Sequence, residues 1–329
     1  LAQAGFRYWA TAPGGGGPYK DVEFVVNGKK VQTKGFKTDR VGDFALEFLE
    51  SQRGSDKPFY LLMPSYAPHT PYDYQPDDYR KPYENAKFSC FPTPPAHPRL
   101  NRAYRRLIGD RPSMHAFSAL ITGIDHQVGR VVKKLEEMGV RENTLIVFTA
   151  DQGWNAGHHG VWGKGNGTWP FNMYEESIHV PMIWNHPGRI QAGLAPSAMV
   201  SSYDYFPTIL DYLDVKAPRD PKRVGQSYAP LLRGKTFRRA NRLYFEYANV
   251  RAVRTENLKL VIRTREWPSE FYDLEADPGE TRNVIEDPRY AKQREALRKD
   301  MEAFFQRNGA PELEQWRTTV RTELTEYSN

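Results

Sequence analysis

The sequence predicts an α/β protein, with a mostly parallel mixed sheet flanked by helices and a small C-terminal antiparallel-sheet-plus-helix subdomain. Three observations predict it. From residue 1 to about 235, apolar β-rich runs alternate with segments of helical periodicity. One of these runs, residues 145–149, breaks abruptly into a polar loop holding Asp151, Gln152, His158, His159 and Lys164. After Gly234 the pattern changes to short β-rich runs with close turns, then one long helical segment. The expected division is therefore 1–235 for the α/β domain and 236–329 for the α+β subdomain.

Each element follows from local chemistry. Residues 22–26 read as a strand, and Asn27-Gly28 is a strong hairpin turn into Lys30-Val31-Gln32. Gly14 to Gly17 form a loop before it. Residues 39–49 read as a helix. Lys57-Pro58-Phe59-Tyr60-Leu61-Leu62-Met63 reads as a buried strand. Phe117, Leu120, Ile121, Ile124, Val128, Val131, Val132 and Leu135 recur at helical spacing, and Gly139 is the natural stop. In the C-terminal part, residues 243–247, 251–254, 258–262 and 270–274 read as strands, and 288–305 as a helix packed on them.

Composition sets the bounds. The chain has 329 residues, 39% hydrophobic and 13% aromatic, enough for a sizeable core. Charged residues make up 26%, which is ordinary for a globular domain. The net charge of +6 creates a field favourable to anionic substrates, but no nucleic-acid module is recognisable. A single cysteine forbids an intrachain disulfide. No apolar run approaches a membrane span.

The loop after residues 145–149 is where chemistry is expected. Ligands of open α/β sheets bind outside the carboxyl ends of the strands. Asp151 and Gln152 offer hard oxygen donors suited to Ca²⁺ or Mg²⁺. Lys164 offers a point charge for an oxyanion. The adjacent pair His158 and His159 lacks a third ligand at zinc spacing. His115, His126 and His179 lie on or beside regular elements and read as structural.

Several ordered motifs resemble the sulfatases of the alkaline-phosphatase superfamily. They are Asp151-Gln152-Gly153, His159-Gly160, Trp162-Gly163-Lys164, Tyr174-Glu175-Glu176-Ser177 and Val180-Pro181-Met182-Ile183. Upstream, Tyr66-Ala67-Pro68-His69-Thr70-Pro71 is similar to the family's Pro-His-x-Pro loop. Downstream, Asp204-Tyr205-Phe206-Pro207-Thr208, Pro230-Leu231-Leu232-Arg233-Gly234 and Tyr272-Asp273-Leu274-Glu275-Ala276-Asp277-Pro278 continue the likeness over almost the whole chain.

The resemblance implies hydrolysis of a sulfate ester on a sulfated carbohydrate, with no nucleic-acid partner and an extracytoplasmic setting. It implies that Asp151 and Gln152 supply part of a Ca²⁺ shell and that Lys164 contacts the sulfate. His69 would bind sulfate and protonate the leaving alcohol. His159 would face the substrate and His158 support the loop, while Trp162 and Asn166 could contact sugar. Glu175 and Glu176 are expected to cap or brace the lysine loop. Two other readings fit the same residues: a phosphatase or phosphodiesterase of the superfamily, and a non-catalytic homologue that binds sulfated glycans.

The family's nucleophile, a Cys or Ser followed by x-Pro-x-Arg and converted to formylglycine, is expected to lie before this chain's Gly5-Phe6-Arg7-Tyr8-Trp9, with two metal-binding aspartates. Cys90-Phe91-Pro92-Thr93-Pro94 imitates the motif but carries Pro94 in place of the arginine. It also follows the Pro-His-x-Pro loop, the wrong order, so Cys90 is rejected as the nucleophile.

Overall fold

A computed structural model describes residues 5–216, 220, 223–239, 241–264 and 267–319. The chain forms two compact units, residues 1–91 with 109–144, and residues 92–108 with 145–329.

In the first unit, β1 (Ala10–Thr11), β2 (Glu23–Val26) and β3 (Lys29–Gln32) form an antiparallel sheet. The turn between β2 and β3 has φ of 49° at Asn27 and 86° at Gly28, the left-handed pair that the Asn-Gly sequence was expected to supply. Helix α1 (Lys37–Ser51) follows, then a short helix α2 (Asp77–Arg80). The periodic segment is a 27-residue helix, which we label α4 (Arg111–Glu137) after the short α3 (Arg102–Arg105) of the second unit. Asp110 caps α4, its carboxylate accepting from Ser113 N at 2.9 Å. Gly139, with φ of 69°, stands one residue past its C-cap. Polar side chains join α1 to α4: Arg130 reaches Asp43 at 2.7 Å and Gln127 reaches Asp39 at 2.7 Å. Tyr19, Phe36, Ala67, Tyr79, Ala119 and Leu120 close the core between them.

The expected strand at residues 57–63 is corrected. These residues form no ladder, yet their exposure alternates, with Phe59, Leu61 and Met63 partly covered and Tyr60 and Leu62 exposed. The period-two pattern is real. The pairing that would make it a strand is not present among the described residues.

In the second unit, β4 (Ile146–Thr149) pairs antiparallel with β5 (Met182–Asn185), and the intervening polar loop returns through a short helix, α5 (Glu175–Ile178). The strand pairings among the described residues are antiparallel. Helix α6 (Tyr205–Tyr212) starts beside Asp204, which is fully buried and accepts from Ser201 N, Gln226 N and Arg239. A short helix α7 (Ala229–Leu232) follows.

The last part of the chain matches expectation closely. Strands β6 (Arg242–Tyr247), β7 (Val250–Thr255), β8 (Leu258–Arg263) and β9 (Glu270–Asp273) make an antiparallel meander. Helices α8 (Ala291–Arg307) and α9 (Leu313–Thr319) follow it. Val253, Leu260, Ile262 and Phe271 of the sheet pack with Leu297, Met301, Phe305 and Trp316 of the helices. Each such side chain contributes about 1.5–3 kcal/mol when fully buried.

Candidate active site

The loop between β4 and β5 is held from below by four consecutive residues, each with its own task. Tyr174 provides a flat surface. The imidazole of His159 stacks on its ring, centroids 3.7 Å apart and planes 4° from parallel. Glu175 turns the other way, to Lys259 Nζ on β8 at 3.0 Å and Arg254 on β7 at 3.1 Å. Glu176 meets His158 Nδ1 at 3.2 Å and His159 Nε2 at 3.1 Å. Ser177 donates to Asn172 Oδ1 at 2.6 Å and accepts from Asn155 Nδ2 at 2.7 Å.

The serine relay fixes the lysine loop. Asn155 donates from its backbone N–H and its side-chain amide to Gly163 O, and Asn172 donates to Gly165 O and Thr168 Oγ1. Asn155, Asn172 and Ser177 are buried, so these bonds operate in a low-dielectric setting where they are strong. Lys164 itself is only partly covered. No carboxylate lies within ion-pair distance of its ammonium among the described residues. Lys259 is the contrast. It is fully enclosed and shared among Glu175, Glu280 and Met173 O. Burial works to raise the Glu175 carboxyl, but Lys259 and Arg254 outweigh it and hold it below its usual range. Glu175 and Glu176 thus brace the loop through different partners.

The proline-rich segment that follows Cys90 packs against the histidine loop. Pro92 O and Pro95 O would stand 2.2 Å from a Cβ placed on Gly157 and on Gly160, and His97 N donates to Gly160 O. Gly157 and Gly160 have φ of 101° and 66°. Only glycine meets both demands there. Cys90 is free and exposed.

Asp151 is exposed at the end of β4, and Gln152 Nε2 donates to its Oδ2 at 3.3 Å. That leaves Asp151 Oδ1 and the Gln152 amide oxygen uncommitted among the described residues. Two neighbouring hard oxygens fit a partial Ca²⁺ shell, which takes 6–8 such ligands. A second grouping, His159, Glu176 and Glu280, also gathers ligand atoms within 4.8 Å of one another. Its carboxylates are already engaged, Glu280 by Lys259 and Glu176 by the two histidines.

The other expected site residues are placed as follows. Trp162 is 0% exposed, with no indole face open to a sugar. Asn166 is exposed. His159 is nearly covered and His158 is open, the reverse of the expected division between them. In the first unit, His69 Nδ1 lies 2.6 Å from Thr70 O, and its ring stacks beside Tyr66. A carbonyl only accepts, so Nδ1 carries the hydrogen and Nε2 is the open nitrogen. Tyr66 OH donates to the same Thr70 O at 2.5 Å, and Tyr19 OH donates to His69 O at 2.8 Å. His126 Nδ1 bonds Tyr79 OH at 2.8 Å, consistent with a structural part.

The sulfatase family profile matches residues 3–215. The chain belongs to the sulfatase family. The profile of the C-terminal part of N-sulphoglucosamine sulphohydrolase matches residues 157–307. A relative named N-acetylglucosamine-6-O-sulfatase, from Bacteroides thetaiotaomicron, is 29% identical, covering 89% of this chain and 66% of that protein. An ulvan-active sulfatase from Formosa agariphila is 26% identical over 78% of this chain and 48% of its own length. The sulfatase chain thus spans between about half and two thirds of these curated relatives. A solved structure in complex with its substrate, D-glucosamine-2-N,6-O-disulfate, superposes with a TM-score of 0.78 at 26% identity, covering 92% of this chain and 76% of that one. These likenesses establish the α/β sulfatase fold with its C-terminal antiparallel sheet and helix. Among the described residues, no helix is long and apolar enough to cross a membrane.

Proposed function

We propose that this chain contributes to the active site of a sulfuric ester hydrolase whose substrate is a sulfated carbohydrate, a sulfated amino sugar in particular. The observation that carries the reading is Lys164, a partly covered ammonium with no carboxylate partner among the described residues, on a loop whose backbone is pinned by Asn155 and Asn172. A cation without a carboxylate partner among the described residues, carried on a held backbone, suits an oxyanion site, because it is available to developing charge. The relatives' names and the disulfated glucosamine in the similar structure support the sugar.

In this reading Lys164 holds sulfuryl oxygens. His69, with Nδ1–H committed to Thr70 O, binds a sulfuryl oxygen only when Nε2 is also protonated, and that same proton can pass to the leaving alcohol. Asp151 and Gln152 would hold Ca²⁺, which supplies charge neutralisation of the sulfuryl group when bound. Asn166 is the exposed candidate for a sugar contact, and Trp162 is not used. The only cysteine, Cys90, is followed four residues on by Pro94 where the family's motif has arginine, so the residues present do not fit a formylglycine there.

The test uses the whole native protein that contains this chain, wild type and Lys164→Ala, assayed on aryl sulfate and aryl phosphate esters in Ca²⁺ or Zn²⁺, and for binding of glucosamine 6-sulfate. Sulfate preference in Ca²⁺, lost by about 10²–10³-fold in the variant, supports the reading. Phosphate preference in Zn²⁺, or sugar binding without turnover, overturns it.

A further inference from the structure

Glu176 holds two adjacent imidazoles at once, one on each carboxylate oxygen. Oε1 faces His158 Nδ1 at 3.2 Å and Oε2 faces His159 Nε2 at 3.1 Å. Neighbouring histidines rarely turn toward one group. Here they do because His159 sits in the left-handed region, with φ of 56°. That conformation is uncommon for a residue with a side chain, and it is held by the stack on Tyr174 and the bond to Glu176.

The carboxylate decides which ring nitrogens carry hydrogen. Burial raises the Glu176 carboxyl, but the hydrogen bond from His159 and the charges of both histidines prevail, and its pKa lies below the ordinary 4.5. Glu176 is therefore ionised near neutral pH and can only accept. Each nitrogen facing it is an N–H. In the neutral rings the lone pairs then lie on His158 Nε2 and His159 Nδ1.

Access separates the two rings. The His159 side chain is 10% exposed and that of His158 is 46% exposed. His158 Nε2 has no hydrogen-bond partner among the described residues. Other ionisable groups lie on the His159 side: Glu280 gathers with it and Glu176, while Asp277 and His97 feel its charge.

We infer that Glu176 is a positioning residue that turns His158 so that its Nε2 faces outward as a hydrogen-bond acceptor for a sugar hydroxyl, with His159 as the packed support. The inference rests on the sulfated-sugar reading above, and its first test is independent of it. Histidine in water prefers the tautomer with hydrogen on Nε2. Glu176 requires the opposite tautomer at His158.

The experiment is long-range ¹⁵N–¹H NMR of isotope-labelled protein at pH 8, where imidazole is neutral. The expected result in wild-type protein is a protonated Nδ1 and an unprotonated Nε2 at His158, reverting to the common tautomer in Glu176→Gln. A His158 protonated on Nε2 in wild-type protein overturns the inference, and needs no variant to fold. Addition of glucosamine 6-sulfate should then shift the His158 Nε2 resonance, while inorganic sulfate should not. If neither ligand perturbs the protein, the sulfatase reading fails and the tautomer result stands alone. If sugar sulfate binds with His158 Nε2 unmoved, the acceptor role fails and the sulfatase reading survives.

Discussion

His159 lies flat on Tyr174, with only 3.7 Å between ring centroids. Stacked aromatic pairs are worth about 0.5–1.5 kcal/mol beyond the area they bury. Tyr174→Phe keeps the ring and should leave the position of His159 unchanged. Tyr174→Leu removes it and should release the imidazole. The shifted NMR resonances of His159 report the difference, and equal spectra for the two variants would show that the stack does not hold the ring.

Gly160→Ala should destabilise the second unit by about 2 kcal/mol or more. The left-handed backbone costs roughly 1–2 kcal/mol for a residue with a Cβ, and Pro95 O leaves no room for one. The expected fall in melting temperature is about 4 °C or more in thermal unfolding. A change below 1 °C would mean that the proline-rich segment yields freely.

Lys259→Met should cost about 3–5 kcal/mol, since removal of one partner leaves buried charge uncompensated on Glu280 and Glu175. Denaturant unfolding measures it. The double variant Lys259→Met with Glu280→Gln should recover part of the loss, because fewer bare charges remain.

The pH dependence follows from Glu176. Its carboxyl titrates below 4.5 in the folded chain, so the stabilisation it brings is fully present above 4.5 and is lost as pH falls through the lower folded value. Glu176→Gln should flatten the acid limb of a melting-temperature profile in that window. An unchanged acid limb would refute the linkage.

Asp151 can be tested without turnover. Millimolar Ca²⁺ should raise the melting temperature of wild-type protein, by an amount equivalent to about 2.7 kcal/mol at a hundred times the dissociation constant. Asp151→Asn should remove most of that rise. Equal responses would place the ion elsewhere.

Local features were legible in the sequence. The repeat from Phe117 to Leu135, the Asn27-Gly28 turn and the short C-terminal strands each depend on neighbours close in the chain, and each was found. The strand expected at residues 57–63 has no ladder partner among the described residues, because an apolar run says nothing of which strand would pair with it. In the candidate site, the loop bearing Asp151 and Lys164 could be found from its motifs. The partners of Glu175 could not: Lys259 lies 84 residues away and Glu280 another 21, and no spacing rule connects them. The opposite exposures of His158 and His159 accompany one left-handed residue, and histidine's several-fold enrichment in that conformation is too weak to single out His159 from sequence.

The link from Glu175 to Lys259 also limits how relatives can be recombined. A chimaera joined near residue 235 would keep the carboxylates of Glu175 and Glu176 but take its strands from another protein. Unless the incoming strands brought cations at the places of Lys259 and Arg254, the Glu175 charge would be stranded and the segment carrying Tyr174 and Ser177 would lose its anchor. The meander is thus not an interchangeable module, and grafts that respect backbone shape alone should give well-formed sheets beside a slack lysine loop.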